Sequence, residues 1–295
     1  MASLPPNQTT GYHTRSISLP LRTNQSIPDI DNHLRRLTSS EATTSSSSSL
    51  GDKLIALGDL YECVDSMLQL PHTRQSIARE HNKDWVEELL NSSLCFLDLS
   101  STAKDVLMQT KEQAQELQST SRRKRGNEQE MVKEAEKYLT SRIQAKKVAN
   151  KSLRDLKSKC AFSSFNSKTP ATFRMLRQVE LVTVAVFESL FAFIRANKAL
   201  SKQCVRSLIS KLMNSSKRVT CDKEATALSE VEKVDDVLQA FVSRNNGKSN
   251  NVQTEDIQNE LRQLELTLQD LGEQLEFIAR RLIRTRASIL NILNH

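Results

Sequence analysis

Residues 257–292 read IQNELRQLELTLQDLGEQLEFIARRLIRTRASILNI, and their rhythm decides the fold. Ile257, Leu261, Leu264, Leu268, Leu271, Leu275, Ile278 and Leu282 recur at alternating steps of four and three, and Ile289 and Ile292 resume the run after Thr285. A step averaging 3.5 residues keeps one stripe of side chains on the same side of an α-helix. At about 1.5 Å per residue the stretch is a rod on the order of 50 Å long. Such a rod must lie against other helices. Leu266, Phe277, Ile283, Leu290 and Leu293 fall off the seam and predict a wider buried face, covered on two sides within one chain. Oligomerisation through the 257–292 helix stays open, although few charge pairs flank the seam to specify a partner.

The same spacing recurs upstream. Leu50, Leu54, Leu57, Tyr61, Val64 and Leu68 form a stripe that Pro71 ends. A helix over 84–119 carries Trp85, Leu89, Ser92, Phe96, Leu99, Ala103, Val106, Thr110 and Leu117. A turn at 122–127 leads into a third helix, 128–159, with a thin stripe (Met131, Ala135, Leu139, Leu153, Leu156) and a basic face. It is expected to be the least securely buried. After a loop at 160–170, an apolar helix runs from 171 to roughly 213, its stripe continued by Leu200, Cys204, Leu208 and Leu212. Spanning a bilayer takes about 20 mainly apolar residues. Glu180 and Glu188 interrupt this run, and an acid at mid-membrane costs on the order of 3 kcal/mol. A central helix of a bundle is the better account. Ala227, Val231, Val234, Leu238 and Phe241 mark a further helix within 222–242, and residues 244–248 break the chain before the rod. The fold class is therefore all-α: an elongated bundle of about six helices, with long coiled-coil-like members, formed by a single domain at 50–295.

Residues 1–49 read as a disordered tail. Pro5, Pro6, Pro20 and Pro28 interrupt any helix, and residues 38–49 are almost wholly Ser and Thr, too polar to offset their ordering entropy. Within the tail, Arg15 precedes Ser18 by three residues and Arg22 precedes Ser26 by four. Ser16, Ser18 and Ser26 are thus candidate phosphorylation sites. Each phosphate would add roughly −1.5 to −2 charge, enough to dock the tail onto a basic face.

Six glycines stand where average usage would give roughly twenty, leaving few tight turns and few loops able to cradle a phosphate. The net charge of +7 is unevenly placed. Arg122, Arg123, Lys124 and Arg125 form one knot; Lys146, Lys147, Lys151, Arg154 and Lys157, between Arg142 and Lys159, form a second against Asp155 alone; Arg280, Arg281, Arg284 and Arg286 form a third. Solvated helix faces are the plainer reading of these knots; the sharper one is a contact patch for anionic lipid or an acidic partner. No aromatic side chains interleave with them, so nucleic acid is not the expected partner. Cys63, Cys95, Cys160, Cys204 and Cys221 are odd in number and never form a CxxC pair, which fits a reducing compartment rather than disulfides or structural zinc. A cytoplasmic location is expected, with membrane association open and a chloroplast leader as the alternative suggested by the hydroxylated, acid-poor start. Histidines 13, 33, 72, 81 and 295 show no metal-ligand spacing, and no nucleophile elbow or glycine-rich phosphate loop occurs. Glu87-Glu88, Asp235-Asp236 and Glu255-Asp256 are neighbours that diverge by about 100° on a helix and are expected to be solvated. No catalytic residue, cofactor or metal is expected, and the chain reads as no enzyme.

Five blocks carry a resemblance: Tyr12-His13-Thr14-Arg15-Ser16-Ile17-Ser18-Leu19-Pro20; Leu60-Tyr61-Glu62-Cys63-Val64-Asp65-Ser66-Met67-Leu68-Gln69-Leu70-Pro71; Trp85-Val86-Glu87-Glu88-Leu89-Leu90; Asp105-Val106-Leu107; and Arg280-Arg281-Leu282-Ile283-Arg284-Thr285-Arg286-Ala287-Ser288-Ile289-Leu290-Asn291-Ile292-Leu293. In this order they resemble a large plant-specific family of uncharacterised helical proteins related to the BYPASS proteins. The resemblance implies association with root and shoot development and brings no enzymatic activity, cofactor or catalytic residue. The first block, inside the tail, reads as a docking peptide. The expected function is that of a non-enzymatic helical interaction or scaffold protein with unidentified protein partners. The alternative is a peripheral membrane protein that sets the basic helix of 142–159 against anionic lipid.

Overall fold

The computed structural model describes residues 26–39, 47–80, 84–123, 128–159, 170–196, 229–245 and 254–294. Among them there is no strand, and the helices in order are α1 (Ser26–Ser39), α2 (Ser47–Leu68), α3 (Pro71–Ala78), α4 (Asp84–Arg123), α5 (Glu128–Lys159), α6 (Ala171–Arg195), α7 (Glu230–Asn245) and α8 (Thr254–Leu293). The all-α bundle expected from the spacing is what forms, with more helices than six.

The seam of α8 organises the rest. From Ile257 to Leu282 each seam residue is at most 1% exposed. Burying each such side chain contributes roughly 1.5–3 kcal/mol before the cost of ordering the chain. Helix α8 is covered by α2, α3, α4 and α7, so it is enclosed within one chain. Its forty-residue partner α4 runs antiparallel to it along the whole length. Ser121 accepts from Gln258 Nε2 at 2.6 Å, Lys104 meets Glu276 at 3.0 Å, Ser100 donates to the Leu275 carbonyl at 3.2 Å, and Ser93 meets Arg286 at 2.8 Å. Helix α2 runs parallel to α8: Gly58 lies under Phe277, Glu62 pairs with Arg281, and Asp65 meets Thr285.

The expected width of the α8 face is corrected at three positions. Leu266, Phe277 and Ile283 are 55%, 36% and 57% exposed. Leu266 stands two residues from both Leu264 and Leu268, about 200° round the helix from each, which puts it on the outer side.

Helix α6 is the central apolar helix, packed against α1, α2, α3, α4 and α5, with most of its residues from Val179 to Ile194 buried. Among the described residues no helix is long and apolar enough to cross a membrane. The helix ends at Arg195 rather than near 213, because Ala196 turns into the left-handed region at φ 51° and its N–H bonds to the Phe193 carbonyl. For alanine that conformation costs on the order of 1–2 kcal/mol and appears only where the surroundings impose it. The stripe Leu200–Leu212 lies outside the described residues.

Two parts of the sequence reading change. The segment 1–49, read as unfolded, contains α1, whose Ile30, Leu34 and Leu37 are buried against α2 and α6. Those three residues repeat the 4-3 step, so the folded body starts by residue 26. Pro28 does not prevent the helix because it occupies the first turn, where backbone N–H groups have no partner to lose. The second change is α5, expected to be thinly buried. Its seam is Met131, Ala135, Tyr138, Arg142, Ala145, Ala149, Ser152 and Leu156, an unbroken 4-3 run of buried residues, while Leu139 and Leu153 stand half-buried at its margin. A short helix absent from the reading, α3, begins with Pro71 at its first position, so the proline that ends α2 starts the next element.

Candidate functional site

Charged groups that read as surface in the sequence are the ones the bundle draws inward. Arg142 projects from the buried seam of α5 and is 3% exposed. Its Nε donates to Asp235 of α7 at 3.1 Å, and its Nη2 donates to the backbone carbonyl of Ile194 at 2.6 Å. That carbonyl belongs to the last turn of α6, where no intrahelical N–H remains to satisfy it. Lys146, one turn along α5, reaches the other Asp235 oxygen at 2.9 Å. One guanidinium thus ties α5, α6 and α7. Beside it the Tyr138 hydroxyl is buried with no hydrogen-bond partner among the described residues, and burial pushes its phenol well above the ordinary range.

A second cluster joins α4 to α6. Arg177 donates through Nη1 to Glu180 at 2.8 Å and through Nη2 to Glu88 at 3.2 Å. Glu180 is 4% exposed. Burial pushes its carboxyl up to about 7; Arg177 opposes the shift and the charge of Glu88 adds to it. A third cluster joins α2 to α8 through Thr285–Asp65 and Glu62–Arg281, the latter guanidinium also lying 4.9 Å over the Phe277 ring. Burial raises the Asp65 carboxyl, partly countered by the Thr285 hydroxyl and by Arg284 and Arg281. Glu188 on α6 is 3% exposed, neither of its oxygens has a hydrogen-bond partner among the described residues, and Lys157 stands 3.9 Å away.

The acid pairs were expected to be solvated. Glu88 and Asp235 depart from that, turning inward to Arg177 and Arg142, while Asp236 remains exposed. The sequence signal that was there to find Arg142 is its register: it falls on the 4-3 step between Tyr138 and Ala145.

The described residues of the predicted basic patch lie on two helices, α4 and α5, and differ in their partners. Arg122 bonds to Gln118 at 3.1 Å and Arg123 to Ser119 at 3.1 Å, both within α4, and Lys124 and Arg125 lie outside the described residues. Lys146 is spent on Asp235, and Lys157 approaches Glu188. Lys147, Lys151 and Arg154 share one exposed stripe at steps of four and three and form no ion pair among the described residues. Ile143 and Val148, 55% and 37% exposed, flank them. The third basic knot is largely consumed by packing: Arg280 pairs with Glu276, Arg281 with Glu62, and Arg286 donates to Ser93 and the Leu90 carbonyl. Of the candidate phosphorylation sites, Ser16 and Ser18 lie outside the described residues and Ser26 opens α1.

Among the described residues no three His, Cys, Asp or Glu side chains gather at metal-binding distance, and Cys63 is a free thiol. A cleft between α1, α2 and α6, lined by Leu37, Lys53, Val182 and Ser189, has room for about one water molecule. The residues that the structure brings together are therefore helix-to-helix ties.

The blocks that carry the resemblance meet in space. Glu62 and Asp65 of the second contact Arg281 and Thr285 of the last, and Leu90 of the third accepts from Arg286 of the last. No curated protein and no solved structure matches the chain. A family model described as Protein BPS1 matches residues 53–292, which takes in the body from α2 to α8. The chain therefore belongs to the BPS1 protein family.

Proposed function

We propose that this chain is a non-enzymatic helical interaction or scaffold protein serving root and shoot development in plants. Family membership suggests the developmental role, of unknown mechanism. The observation that carries the scaffold reading is the disposition of the buried charges. Arg142, Arg177, Asp65 and Asp235 each bridge separate helices, where a binding site would have them converge on a cavity. Rigid rods joined in this way offer surfaces to partners. Proximity labelling in root and shoot tissue tests it, with a folded variant carrying altered exposed residues as control. A recurring protein set lost in that variant supports the reading; a set identical to that of an inert helical bundle overturns it.

The second reading, a peripheral membrane protein, rests on the Lys147, Lys151 and Arg154 stripe with Ile143 and Val148 beside it. Opposing it are Asp98 and Asp105, exposed acids of α4, the helix that the Lys137–Glu116 pair joins to α5. Liposome flotation separates the readings. Binding that rises with anionic lipid and falls with salt favours this one, and no flotation at low salt removes it.

A further inference from the structure

The first turns of α4 and the N-terminal half of α6 are joined by polar and aromatic contacts at one place. Glu88 and Glu180 share the Arg177 guanidinium, at 3.2 and 2.8 Å. One positive charge thus faces two carboxylates, one of them almost fully buried. Glu180 Oε1 has no hydrogen-bond partner among the described residues. Ser92 is close by, and its hydroxyl opposes the rise of the Glu180 carboxyl, although in this geometry it donates to the Glu88 backbone carbonyl at 2.9 Å. One turn away Trp85 packs edge-on against Phe173, and Trp85 is the only tryptophan in the sequence.

The other elements packed on α6 bring their own groups. Helix α5 brings Lys157, which stands by Glu188 two turns further on. Helix α2 brings Tyr61, whose hydroxyl bonds to Thr183 at 3.0 Å. Helix α3 carries His72 and Arg74, and α1 carries Arg35 and Arg36, all exposed.

We propose that Glu88, Arg177 and Glu180 form a proton-controlled clasp: with Glu180 protonated α4 and α6 are held together, and its ionisation loosens the junction. The physical reason is that an ionised Glu180, almost fully buried and with Oε1 lacking a hydrogen-bond partner among the described residues, competes with Glu88 for Arg177, whereas the neutral acid lets Arg177 serve Glu88. The sign of the linkage follows from burial raising the folded carboxyl toward 7 against an ordinary 4.5. The clasp's full contribution is present below pH 4.5 and is lost progressively up to about pH 7, after which there is no further dependence. Across that window the local opening constant rises by up to about tenfold per pH unit.

The test uses the full chain between pH 4.5 and 8.5. Trp85 emission is followed together with hydrogen exchange of residues 84–93 and 171–180, corrected for intrinsic rates. The wild type is expected to lose protection and shift its emission as pH approaches 7, then level off. Glu180→Gln is expected to keep both readouts flat. Superimposable wild-type and Glu180→Gln profiles overturn the clasp, as does protection lost equally throughout α8, which would mark global unfolding. Should Glu180→Gln fail to fold, Glu88→Gln decides: removing the neighbouring charge must move the wild-type transition to lower pH, and an unmoved transition overturns the proposal.

Discussion

The Thr285 hydroxyl donates to the carboxylate of Asp65 across 220 residues of sequence, inside the seam where α2 lies parallel to α8. Thr285 is the one seam position between Leu282 and Ile289 that is polar, and the break it makes in the apolar run is filled by this bond. Asp65 is 8% exposed, and its other oxygen has no hydrogen-bond partner among the described residues. The pair therefore fixes which stretch of α2 meets which stretch of α8, a choice that leucines alone leave open.

Replacing Thr285 by Val keeps the shape of the seam and removes the donor. The buried Asp65 carboxylate then loses its partner, at a cost of about 1–3 kcal/mol. The double variant Asp65→Leu with Thr285→Val is expected to lose less than the two single changes added together. A double-mutant cycle from urea unfolding measures the difference; strictly additive losses would show the two side chains to be uncoupled.

At Gly58 the backbone of α2 lies directly against the Phe277 ring of α8. A Cβ there would lie 2.5 Å from the Phe277 ring edge. Phe277 is 36% exposed and has room to swing outward, giving up its place under the Arg281 guanidinium. Gly58→Ala is accordingly expected to cost only about 1 kcal/mol and Gly58→Leu about 2–3 kcal/mol, in the range of overpacked cores. Adding Phe277→Ala to Gly58→Leu should recover most of the loss of melting temperature. No recovery would mean that backbone contact, rather than the ring, sets the spacing.

The apolar rhythm was enough to read α2, α4, α6, α7 and α8, because leucine, isoleucine and phenylalanine on a 4-3 step have one stable disposition. It failed where the seam is made of other residues. The inward face of α5 is alanine, serine, tyrosine and an arginine, a row that a search for large aliphatic residues passes over. Helix α1 was lost to its prolines and serines, although Ile30, Leu34 and Leu37 already held the spacing. The ion clusters were the least legible, since Glu88 and Asp235 look like any surface acid until distant helices supply Arg177 and Arg142.

Arg142 gives that last point a measurable form. Arg142→Met would leave Asp235 buried with Lys146 alone and would withdraw the donor from the Ile194 carbonyl. Breaking a buried pair from one side costs on the order of 3–5 kcal/mol. Arg142→Lys keeps the charge but cannot span both acceptors, and an intermediate loss is expected. Hydrogen exchange should show the damage first at the end of α6 and along α7. A loss below about 1 kcal/mol for Arg142→Met, with α7 protection unchanged, would relegate the cluster to a passive contact.

Glu188 is the opposite case, a buried charge whose removal should help. Burial raises its carboxyl and Lys157, at 3.9 Å, offsets this only in part. A group raised in the folded state stabilises most when protonated, below its ordinary value near 4.5, and that contribution is lost as pH climbs through the raised value. Above that point the folded protein carries an ionised side chain with no hydrogen-bond partner among the described residues. Glu188→Gln should therefore melt at a higher temperature than the wild type at pH 7.5, and Glu188→Met, similar in length and fully apolar, higher still. The gain should shrink as pH falls toward 4.5, where the wild-type side chain is neutral. Thermal melts of the three proteins from pH 4.5 to 8 read this directly: a destabilised Glu188→Met at pH 7.5 would show that the Lys157 pairing outweighs desolvation.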